Sequence, residues 1–481
     1  MVVQVFFALA TAVPSKYYVR IALSAIALVV LYAFAQGRTT SRERDLHARV
    51  IILTGGFTPL GLTLLTELAS RGAHIIALSP YPLDHPYPSV LIPLLRSSTN
   101  NEHIYADHAD LSDPKSIRDF CTKFLTGQDT RLDALVFAHE YQGIGSLFRR
   151  GRAEQYAESR ETASLATFLI ITLLLPALLV EPAERDIRIV SVVSPFYAAA
   201  APAFTAQLAA ASPAGPAPSS VLLSEGQRAL RTAILTRHLQ RVLDSLPNQS
   251  PDAQKGKETT SEKPVPQPSN ILTVSACPGI SRKSTLAPLL GVDKDAPEGA
   301  SKLGLLIYFL FFPFLFLLTK SPRSSLQTVL HVLFLPSPLK RAHAVLNAAL
   351  NPDASPRAAD AKEEDKEKSD IDPAHPIRFV DEEVLKPGAL YRECAVVQQP
   401  VPGLPAGASV DDMEGAEKEK GKALETDFPD DGELGGEAVG RTVWEWYEER
   451  LKVWEAKAGV KEDIDTKAES SQSAAGAVPA S

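Results

Sequence analysis

The sequence predicts an α/β protein with a doubly wound parallel sheet, a membrane helix before it and a helical extension after it. The first observation is a βαβ unit: residues 50–53 are apolar, Thr54-Gly55-Gly56 interrupts them, and residues 62–71 repeat apolar side chains at helical spacing. The second is that five further apolar runs of strand length follow, with helical segments between them. Strands that alternate with helices at this spacing form a parallel sheet.

The elements of this sheet follow one another along the chain. Asp113 followed by Pro114 has the residue types of an N-cap and a first helical turn. Residues 79–88 are rich in proline and are expected to form a loop. The predicted helices are residues 62–71, 114–124, 163–180, 222–246 and 324–334, and the predicted strands are residues 50–53, 73–78, 103–106, 132–137, 187–193 and 271–275.

Two apolar runs precede the sheet. Residues 2–13 end at Pro14, whereas residues 21–34 carry no charge, have basic residues on both sides and approach the ~20 residues of a membrane helix. We favour a retained anchor over residues 1–37; the alternatives are a cleaved signal peptide, which scarce cysteines disfavour, and a hairpin dipping into one leaflet. The more basic flank predicts that the chain from Arg38 onward is cytosolic.

A third apolar segment lies late in the chain. Residues 303–318 contain five phenylalanines and Pro313, and the segment is short for a membrane span. Three interpretations are open: a helix that covers a substrate pocket, an in-plane helix that dips into the membrane, and a second span. The first two are favoured, because a span would separate helix 324–334 from the sheet on which it should pack.

Composition divides the chain into a folded domain and polar segments. Residues 391–397 are expected to add an edge strand, and residues 440–458, which include Trp444 and Trp454, predict an amphipathic helix that closes the core rather than binds a partner. The predicted divisions are an anchor, 1–37; a sheet domain, 38–350, with insertions 198–218 and 248–270 and the apolar segment 303–319; a disordered linker, 351–376; a C-terminal extension, 377–458, with disordered residues 402–436; and a disordered tail, 459–481.

Charge and cysteine content argue against a nucleic-acid partner and against a metal site. The net charge of −8 argues against a nucleic-acid partner, since such proteins are usually basic. Cys121, Cys277 and Cys394 lie far apart and share no metal-ligand spacing. We therefore expect buried thiols in a reducing compartment and no metal site.

Six motifs occur in a recognisable order. They are Thr54-Gly-Gly-Phe-Thr-Pro-Leu-Gly61, Asp110-Leu111, an apolar helix over 168–175 followed by Pro176, a strand over 188–194 that ends at Ser194, Pro278-Gly279, and the variable run 303–337. Over about residues 49–336 this order resembles the short-chain dehydrogenase/reductase superfamily, and in particular its membrane-anchored, retinol-dehydrogenase-like branch with many uncharacterised fungal members. The resemblance implies a Rossmann-like sheet, NAD or NADP as cofactor, and cofactor contacts from Thr54, Gly55, Gly61 and Asp110.

The catalytic positions depart from that family. The resemblance implies a serine, a tyrosine, a lysine and an asparagine. Ser194 is retained, but Glu225 stands at the tyrosine position, Ala229 at the lysine position and Ala163 at the asparagine position. Carbonyl reduction needs a phenol held near neutral pKa, and an ionised Glu225 would repel a developing alkoxide.

The cofactor-binding turn also departs from the family. Pro59 replaces the middle glycine, which removes an N–H and adds bulk where the backbone should approach phosphate. Residues 138–140, Ala-His-Glu, replace Asn-Ala-Gly and place a carboxylate near the ribose. Residues 79–80 supply no basic group for a 2′-phosphate. Weakened binding of NAD or NADP is the expectation.

The replaced residues also suggest a different catalytic function, that of a nucleophilic triad. Ser194, His139 and Glu225 are the right types for it. However, Pro195 follows the serine, and no glycines of a nucleophile elbow surround it. Ordinary polar residues at the carboxyl edge of the sheet are the favoured interpretation.

The leading hypothesis from the sequence is a pseudoenzyme with a binding or scaffolding role toward a lipid or protein partner. It would face the cytosol on the endoplasmic reticulum or lipid droplets, with the mitochondrial outer membrane as an alternative. The rival hypothesis is a divergent NAD(P)-dependent oxidoreductase acting on a lipid carbonyl or alcohol, which needs another proton donor, such as Tyr197 beside Ser194 and a basic residue. A third class, a membrane-organising protein without nucleotide, requires side chains that fill the pocket.

Overall fold

The fold was analysed in a computed structural model that describes residues 17–127, 131–142, 144–148, 153–182, 185–210, 220–246, 269–292, 301–339, 341, 383–403 and 431–459. Within them lies one eight-stranded sheet in the order β3-β2-β1-β4-β5-β6-β7-β8. The strands are β1 Val50–Thr54, β2 His74–Ser79, β3 Ile104–His108, β4 Ala134–Phe137, β5 Ile187–Val192, β6 Ile271–Cys277, β7 Leu390–Arg392 and β8 Ala395–Val397.

The strand order confirms the predicted doubly wound, Rossmann-like fold of the short-chain dehydrogenase type. Strands β1 to β7 pair in parallel, and only the β7–β8 pair is antiparallel. The order reverses at β1, since β2 lies on one side of it and β4 on the other. In open parallel sheets, ligands bind at the carboxyl ends of the strands beside this reversal.

Helices cover both faces of the sheet. Helix α2 (residues 59–69) and helix α12 (residues 322–334) pack on one face with Ile51 and Leu53. On the other face, helices α4 (residues 114–126) and α5 (residues 153–180) and the end of α8 (residues 221–245) pack with Ile52. This alternation follows the two-residue period of a strand. The helices are α1 Tyr18–Gln36, α2 Pro59–Ala69, α3 Pro86–Thr99, α4 Pro114–Thr126, α5 Ala153–Val180, α6 Tyr197–Ala200, α7 Phe204–Ala210, α8 Val221–Ser245, α9 Ala287–Leu289, α10 Lys302–Leu310, α11 Phe312–Leu318, α12 Pro322–Phe334 and α13 Gly436–Lys457.

Helix α4 begins as predicted, whereas α3 and α5 differ most from the sequence predictions. The Asp113 cap of α4 is present, with its carboxylate accepting the Lys115 N–H at 3.1 Å. Helix α3, however, begins at Pro86, inside the predicted loop 79–88. Proline is compatible with a first helical turn, whose N–H groups have no partner within the helix, so the proline-rich stretch starts a helix there. Helix α5 also begins ten residues before its predicted start.

Residues 391–397 lie at the edge of the sheet as predicted, but they contribute to two short strands rather than to one. The segment forms a hairpin in which β7 adds to β6 in parallel and β8 folds back on β7. Glu393 and Cys394 form its two-residue turn with φ of 54° and 56°. Such turns need positive φ at both central residues and usually contain glycine or asparagine, so the sequence carried no turn signal here.

The apolar segments take different positions. Among the described residues, two helices are long and apolar enough to cross a membrane: α1, and residues Gln155–Val180 of α5. Helix α5 lies largely inside the core, whereas α1 is not buried. The segment 303–318 forms two short helices, α10 and α11, with most of their apolar side chains exposed rather than turned into a pocket.

Several predicted segments cannot be compared with the structure. The run 2–13 and the linker 351–376 lie outside the described residues. So do most of the insertion 248–270, most of the stretch 402–436 and nearly all of the tail 459–481. Their assignments stay predictions.

Helix α13 closes the face formed by α5 and α8, as predicted for a core-closing helix. Val443 and Tyr447 are fully buried, and the Tyr447 hydroxyl is 2.7 Å from the Ser164 hydroxyl. The Phe168 ring contacts the rings of Trp444 and Tyr447 at centroid distances of 5.0 and 5.2 Å. These aromatic contacts bind the C-terminal extension to the sheet domain.

We predict that acid releases α13 through His238. This side chain on α8 lies against Gly440, and burial lowers its pKa to about 4, with Glu437 opposing and Arg241 and Arg441 adding to the shift. Because the unfolded pKa is about 6.5, the stabilisation from neutral His238 is complete above that pH and is lost as the pH falls toward 4. All three tryptophans lie on α13, so their emission should shift to the red over this window.

The matched comparison uses His238→Gln, which cannot gain a charge, and His108→Gln at an exposed position. His238→Gln should flatten the acid transition, and His108→Gln should leave it in place. Identical pH profiles for wild type and His238→Gln would contradict the assignment.

Candidate nucleotide and active site

The turn after β1 retains the close backbone approach of a dinucleotide-binding turn. Gly55 has a φ of +68°, and a Cβ there would lie 2.6 Å from the backbone nitrogen of His139. A Cβ on Gly61 would collide with the Gly55 carbonyl oxygen. Both positions therefore require glycine, and they place the first turn of α2 against the end of β1.

The N-terminus of α2 offers few donors to a phosphate. Pro59 carries no N–H, and the Thr58 hydroxyl accepts the Gly61 N–H at 3.0 Å. Of these first helical positions, only Leu60 keeps an N–H without a helical or capping partner. Anion binding at a helix N-terminus depends on several such N–H groups, so the turn keeps its shape but loses donors.

His139 is held as a neutral structural residue. Its Nδ1 is 2.7 Å from the Thr54 hydroxyl, and its Nε2 is 2.9 Å from the carbonyl oxygen of Ala163. Burial lowers the pKa of His139, although Glu140 opposes the shift. The neutral ring therefore donates from Nε2 to Ala163 and accepts at Nδ1 from Thr54. Ala163, which stands at the asparagine position of the resembled family, contributes only its backbone carbonyl to this contact.

A buried charge network includes Glu225, which stands at the tyrosine position of the resembled family. The Arg228 guanidinium is 3.0 Å from a carboxylate oxygen of Glu140 and also forms a close ion pair with Glu225. The Nε of Arg160 is 3.2 Å from the other Glu225 oxygen. The Thr232 hydroxyl donates to Glu140 at 2.8 Å. All four charged residues are at most 6 % exposed.

The electrostatics of this network favour its charged form. Burial alone would lower the pKa of Arg228, but Glu225 and Glu140 outweigh it and raise that pKa. Glu225 thus faces two guanidinium groups rather than an open site. Ala229, at the lysine position, lies in the apolar cluster with Tyr197 and Leu230. The tyrosine position therefore belongs to an internal ion network, whereas the lysine position is apolar.

The structure does not form the triad suggested by residue type. Ser194 is completely buried, and among the described residues its hydroxyl has no hydrogen-bond partner. His139 is bound to Thr54 and Ala163, and Glu225 to Arg160 and Arg228. Without a base bonded to the serine and a carboxylate bonded to that base, nucleophilic activation is absent from this arrangement.

Tyr141 was missed by sequence reasoning. It is fully buried, and its hydroxyl donates to the carbonyl oxygen of Gly279 at 2.7 Å and accepts from Thr285 at 3.1 Å. Burial raises its pKa to about 12. Tyr141 ties the segment after β4 to the Pro-Gly turn after β6. The sequence signal that could have identified Tyr141 was its position two residues after His139.

Tyr197 has a basic partner, as the rival hypothesis requires. It lies three residues beyond Ser194, and the nearby Arg392 of β7 favours ionisation of its hydroxyl, which by itself would lower the pKa. Burial and the nearby Cys277 thiol nevertheless raise the pKa of Tyr197, in spite of Arg392. The phenol is thus placed at the carboxyl edge of the sheet but is not shifted toward neutral pKa.

Asp110 makes local contacts. Its carboxylate accepts from the Ser112 N–H at 2.9 Å and from the Ser112 hydroxyl at 2.7 Å. This capping turn leads into α4 and leaves the carboxylate partly exposed. An adenine contact would have to share the carboxylate with Ser112.

The expectations about metals and cysteines were examined over the described residues. No group of three or more histidine, cysteine or acidic side chains there could hold a metal ion. Cys121, Cys277 and Cys394 are free and buried. Burial raises the pKa of Cys277 to about 11, which makes its thiol unreactive.

Comparisons with curated proteins give four related sequences, whereas no family model matches the chain. The fission-yeast "Uncharacterized oxidoreductase pbr1" of Schizosaccharomyces pombe is 26% identical over 320 residues, which cover 66% of this chain and 78% of that protein. Human retinol dehydrogenase 13 is 31% identical over 110 residues, which cover 23% of this chain and 32% of that protein.

Solved structures with a similar backbone include a short-chain dehydrogenase from Sphingobium yanoikuyae in complex with NADPH. It is 16% identical with a TM-score of 0.36, and the match covers 66% of this chain and all of that one. A gluconate 5-dehydrogenase from Burkholderia cenocepacia is 16% identical with a TM-score of 0.33, covering 50% and 73%. Motif order, strand order and curated relatives agree that the chain resembles the short-chain dehydrogenase/reductase superfamily, including its retinol-dehydrogenase-like members.

Proposed function

We propose that this protein is a membrane-anchored, short-chain-dehydrogenase-like pseudoenzyme with a binding or scaffolding role. The observation that carries the proposal is the environment of Glu225 at the position of the proton donor. Glu225 is completely buried and paired with Arg160 and Arg228. A general acid must reach the substrate and carry a proton to it, and a carboxylate paired with two guanidinium groups does neither.

The proposal retains a nucleotide crevice of reduced affinity. If NAD or NADP binds, Thr54, Gly55 and Gly61 would line the pyrophosphate, and Asp110 would meet the adenine. The close packing of Gly55 and Gly61 supports this role. The loss of the N–H at Pro59 opposes it. The cofactor would then serve as a ligand that stabilises the fold, not as a hydride donor.

The location in this proposal is a lipid-rich membrane. The exposed apolar helix α1 supports an anchor, and the retinol dehydrogenase relatives support an environment in which lipids are ligands. We place the folded domain on the cytosolic side of the endoplasmic reticulum or of lipid droplets, with the mitochondrial outer membrane as the alternative. The bound partner in this proposal is a lipid or a protein, and the net charge of −8 argues against nucleic acid.

A divergent NAD(P)-dependent oxidoreductase acting on a lipid carbonyl or alcohol is the second candidate. The observation in its favour is that the nearby Arg392 favours ionisation of Tyr197, because a phenol with a cationic neighbour resembles the tyrosine–lysine pair of the family. The raised pKa of Tyr197 is against it.

The first test is nucleotide binding by the full chain in lipid nanodiscs. Calorimetry with NADH, NADPH, NAD and NADP should give millimolar affinity or weaker. Pro59→Gly should tighten binding about tenfold, equivalent to about 1.4 kcal/mol, because it restores an N–H at the helix N-terminus. Gly55→Trp serves as the blocked control. Micromolar binding by the wild type that is lost in Gly55→Trp would contradict the proposal that the crevice binds nucleotide with reduced affinity.

The second test addresses the charge network. Arg228→Met leaves Glu140 and Glu225 buried with too little positive charge, so the free energy of unfolding should fall by about 3–5 kcal/mol. Arg441→Met removes an exposed pair with Glu437 and should cost about 0.5 kcal/mol or less. Urea unfolding followed by circular dichroism measures both. Equal effects of the two variants would show that the network is not the stabilising element described.

The third test separates the two candidate functions. The full chain is incubated with NADPH and a long-chain aldehyde, and NADPH consumption is followed. The pseudoenzyme proposal expects no turnover by the wild type. Turnover that disappears in Tyr197→Phe, but persists in Tyr105→Phe at an exposed position, would establish the oxidoreductase instead.

A further inference from the structure

Helices α10 and α11 present an apolar surface that the rest of the described chain does not cover. Leu306, Phe309 and Phe314 are 65, 66 and 61 % exposed. Residues 301–323 contain no acidic side chain. An exposed apolar surface of this kind marks an interaction site in a soluble or membrane-bound protein.

The geometry of the two helices excludes a second span. Helix α10 has nine residues and α11 has seven, which correspond to about 14 and 11 Å, whereas the apolar core of a bilayer is about 30 Å thick. The chain leaves helical geometry at Phe311 with φ −92° and ψ 4°, just before Pro313. The two helices do not add up to one long helix.

Helix α11 is attached to the proposed anchor. The rings of Tyr32 and Phe316 stack at a centroid distance of 5.7 Å. At the end of α1, the Gln36 side chain donates to the Thr319 carbonyl at 3.2 Å and accepts from the Ser321 N–H at 3.0 Å. The C-terminal ends of α1 and α11 therefore lie at one level, and Phe316 lies beside the last turns of α1.

Basic side chains border the apolar surface. The Arg282 guanidinium lies over the rings of Phe316 and Phe312, 4.7 and 5.8 Å from their centroids. Lys302, at the start of α10, is exposed. Cations that border aromatic and aliphatic side chains, with no acidic residue among them, suit the headgroup layer of an anionic membrane.

We infer that α10 and α11 lie in the plane of the membrane, embedded in the same leaflet as the end of α1. The occupant of the apolar surface is the bilayer, because this surface continues that of α1 and carries the matching charge. The inference rests on the proposed anchoring by α1 and adds a second membrane contact. Its consequence is orientation: Lys320, two residues beyond α11, lies against Gly279, so the Pro-Gly turn lies on the membrane side of the sheet domain.

The test measures the depth of labelled side chains in full-length protein in phosphatidylcholine/phosphatidylserine vesicles. Phe314→Cys on α11, Val29→Cys on α1 and Val90→Cys on α3 are each labelled with the fluorophore NBD; all three positions are 61–66 % exposed. The native cysteines are buried, and unsubstituted protein gives the labelling background. Quenchers are lipids with shallow or deep nitroxides, and aqueous iodide.

We expect the label at 314 to emit at shorter wavelength than the label at 90, and to be quenched more by shallow than by deep nitroxides. The label at 29 should respond most to deep nitroxides, and the label at 90 only to iodide. Iodide quenching at 314 with lipid quenching at 29 would overturn the inference and leave the anchor intact. Iodide quenching at both positions would overturn the anchor as well.

Two other results would also reject the inference. Deep-nitroxide quenching at 314 equal to that at 29 would indicate a span. A blue-shifted label at 314 that no lipid nitroxide quenches, and whose shift grows with protein density, would indicate that a second copy of the chain covers the surface.

Discussion

The Arg228 guanidinium between the carboxylates of Glu140 and Glu225 is the interaction on which the centre of this structure depends. It joins the segment after β4 to α8, and Arg160 extends the contact to α5. A buried charge without its partner is far more costly than the pair is stabilising, so the removal of any one of the four charged groups would destabilise this region. The carboxyl edge of the central strands is therefore organised by internal pairing where the resembled family places its reactive groups.

Under the proposed function, this pairing explains why the retained residues of the crevice would not catalyse hydride transfer. Ser194 remains at the end of β5, but the groups that could polarise it are bound elsewhere. His139 is used to connect Thr54 with the Ala163 backbone. The same edge is tied to the Pro-Gly turn through Tyr141. Each of these contacts stabilises the arrangement of strands that a nucleotide would need, so the proposed pseudoenzyme would keep the fold without the chemistry.

The sheet could be predicted from the sequence because each parallel strand is a nearly continuous apolar run, and the helices between them have a 3.6-residue period. The loss of the catalytic pair was also predictable, since it depends on residue identity at aligned positions. The charge network was not found, although Glu225 and Arg228 stand at i, i+3 spacing on one helix. Its other members, Glu140 and Arg160, come from distant parts of the chain, and only the packing of α5 and α8 brings them together.

The hairpin at the sheet edge shows a second limit of sequence reasoning and links the sheet to the anchor. Glu393 adopts positive φ without the usual glycine, and its carboxylate binds Lys320 at 2.5 Å and the Arg38 N–H at 3.2 Å. These tertiary contacts offset the strain of the turn, which local propensity cannot reveal. Arg38 lies two residues after the end of α1, and the Thr40 N–H donates to the side chain of Gln327 of α12. Helix α1 therefore joins the domain through fixed contacts rather than a free tether, so the orientation of the crevice follows from the position of α1.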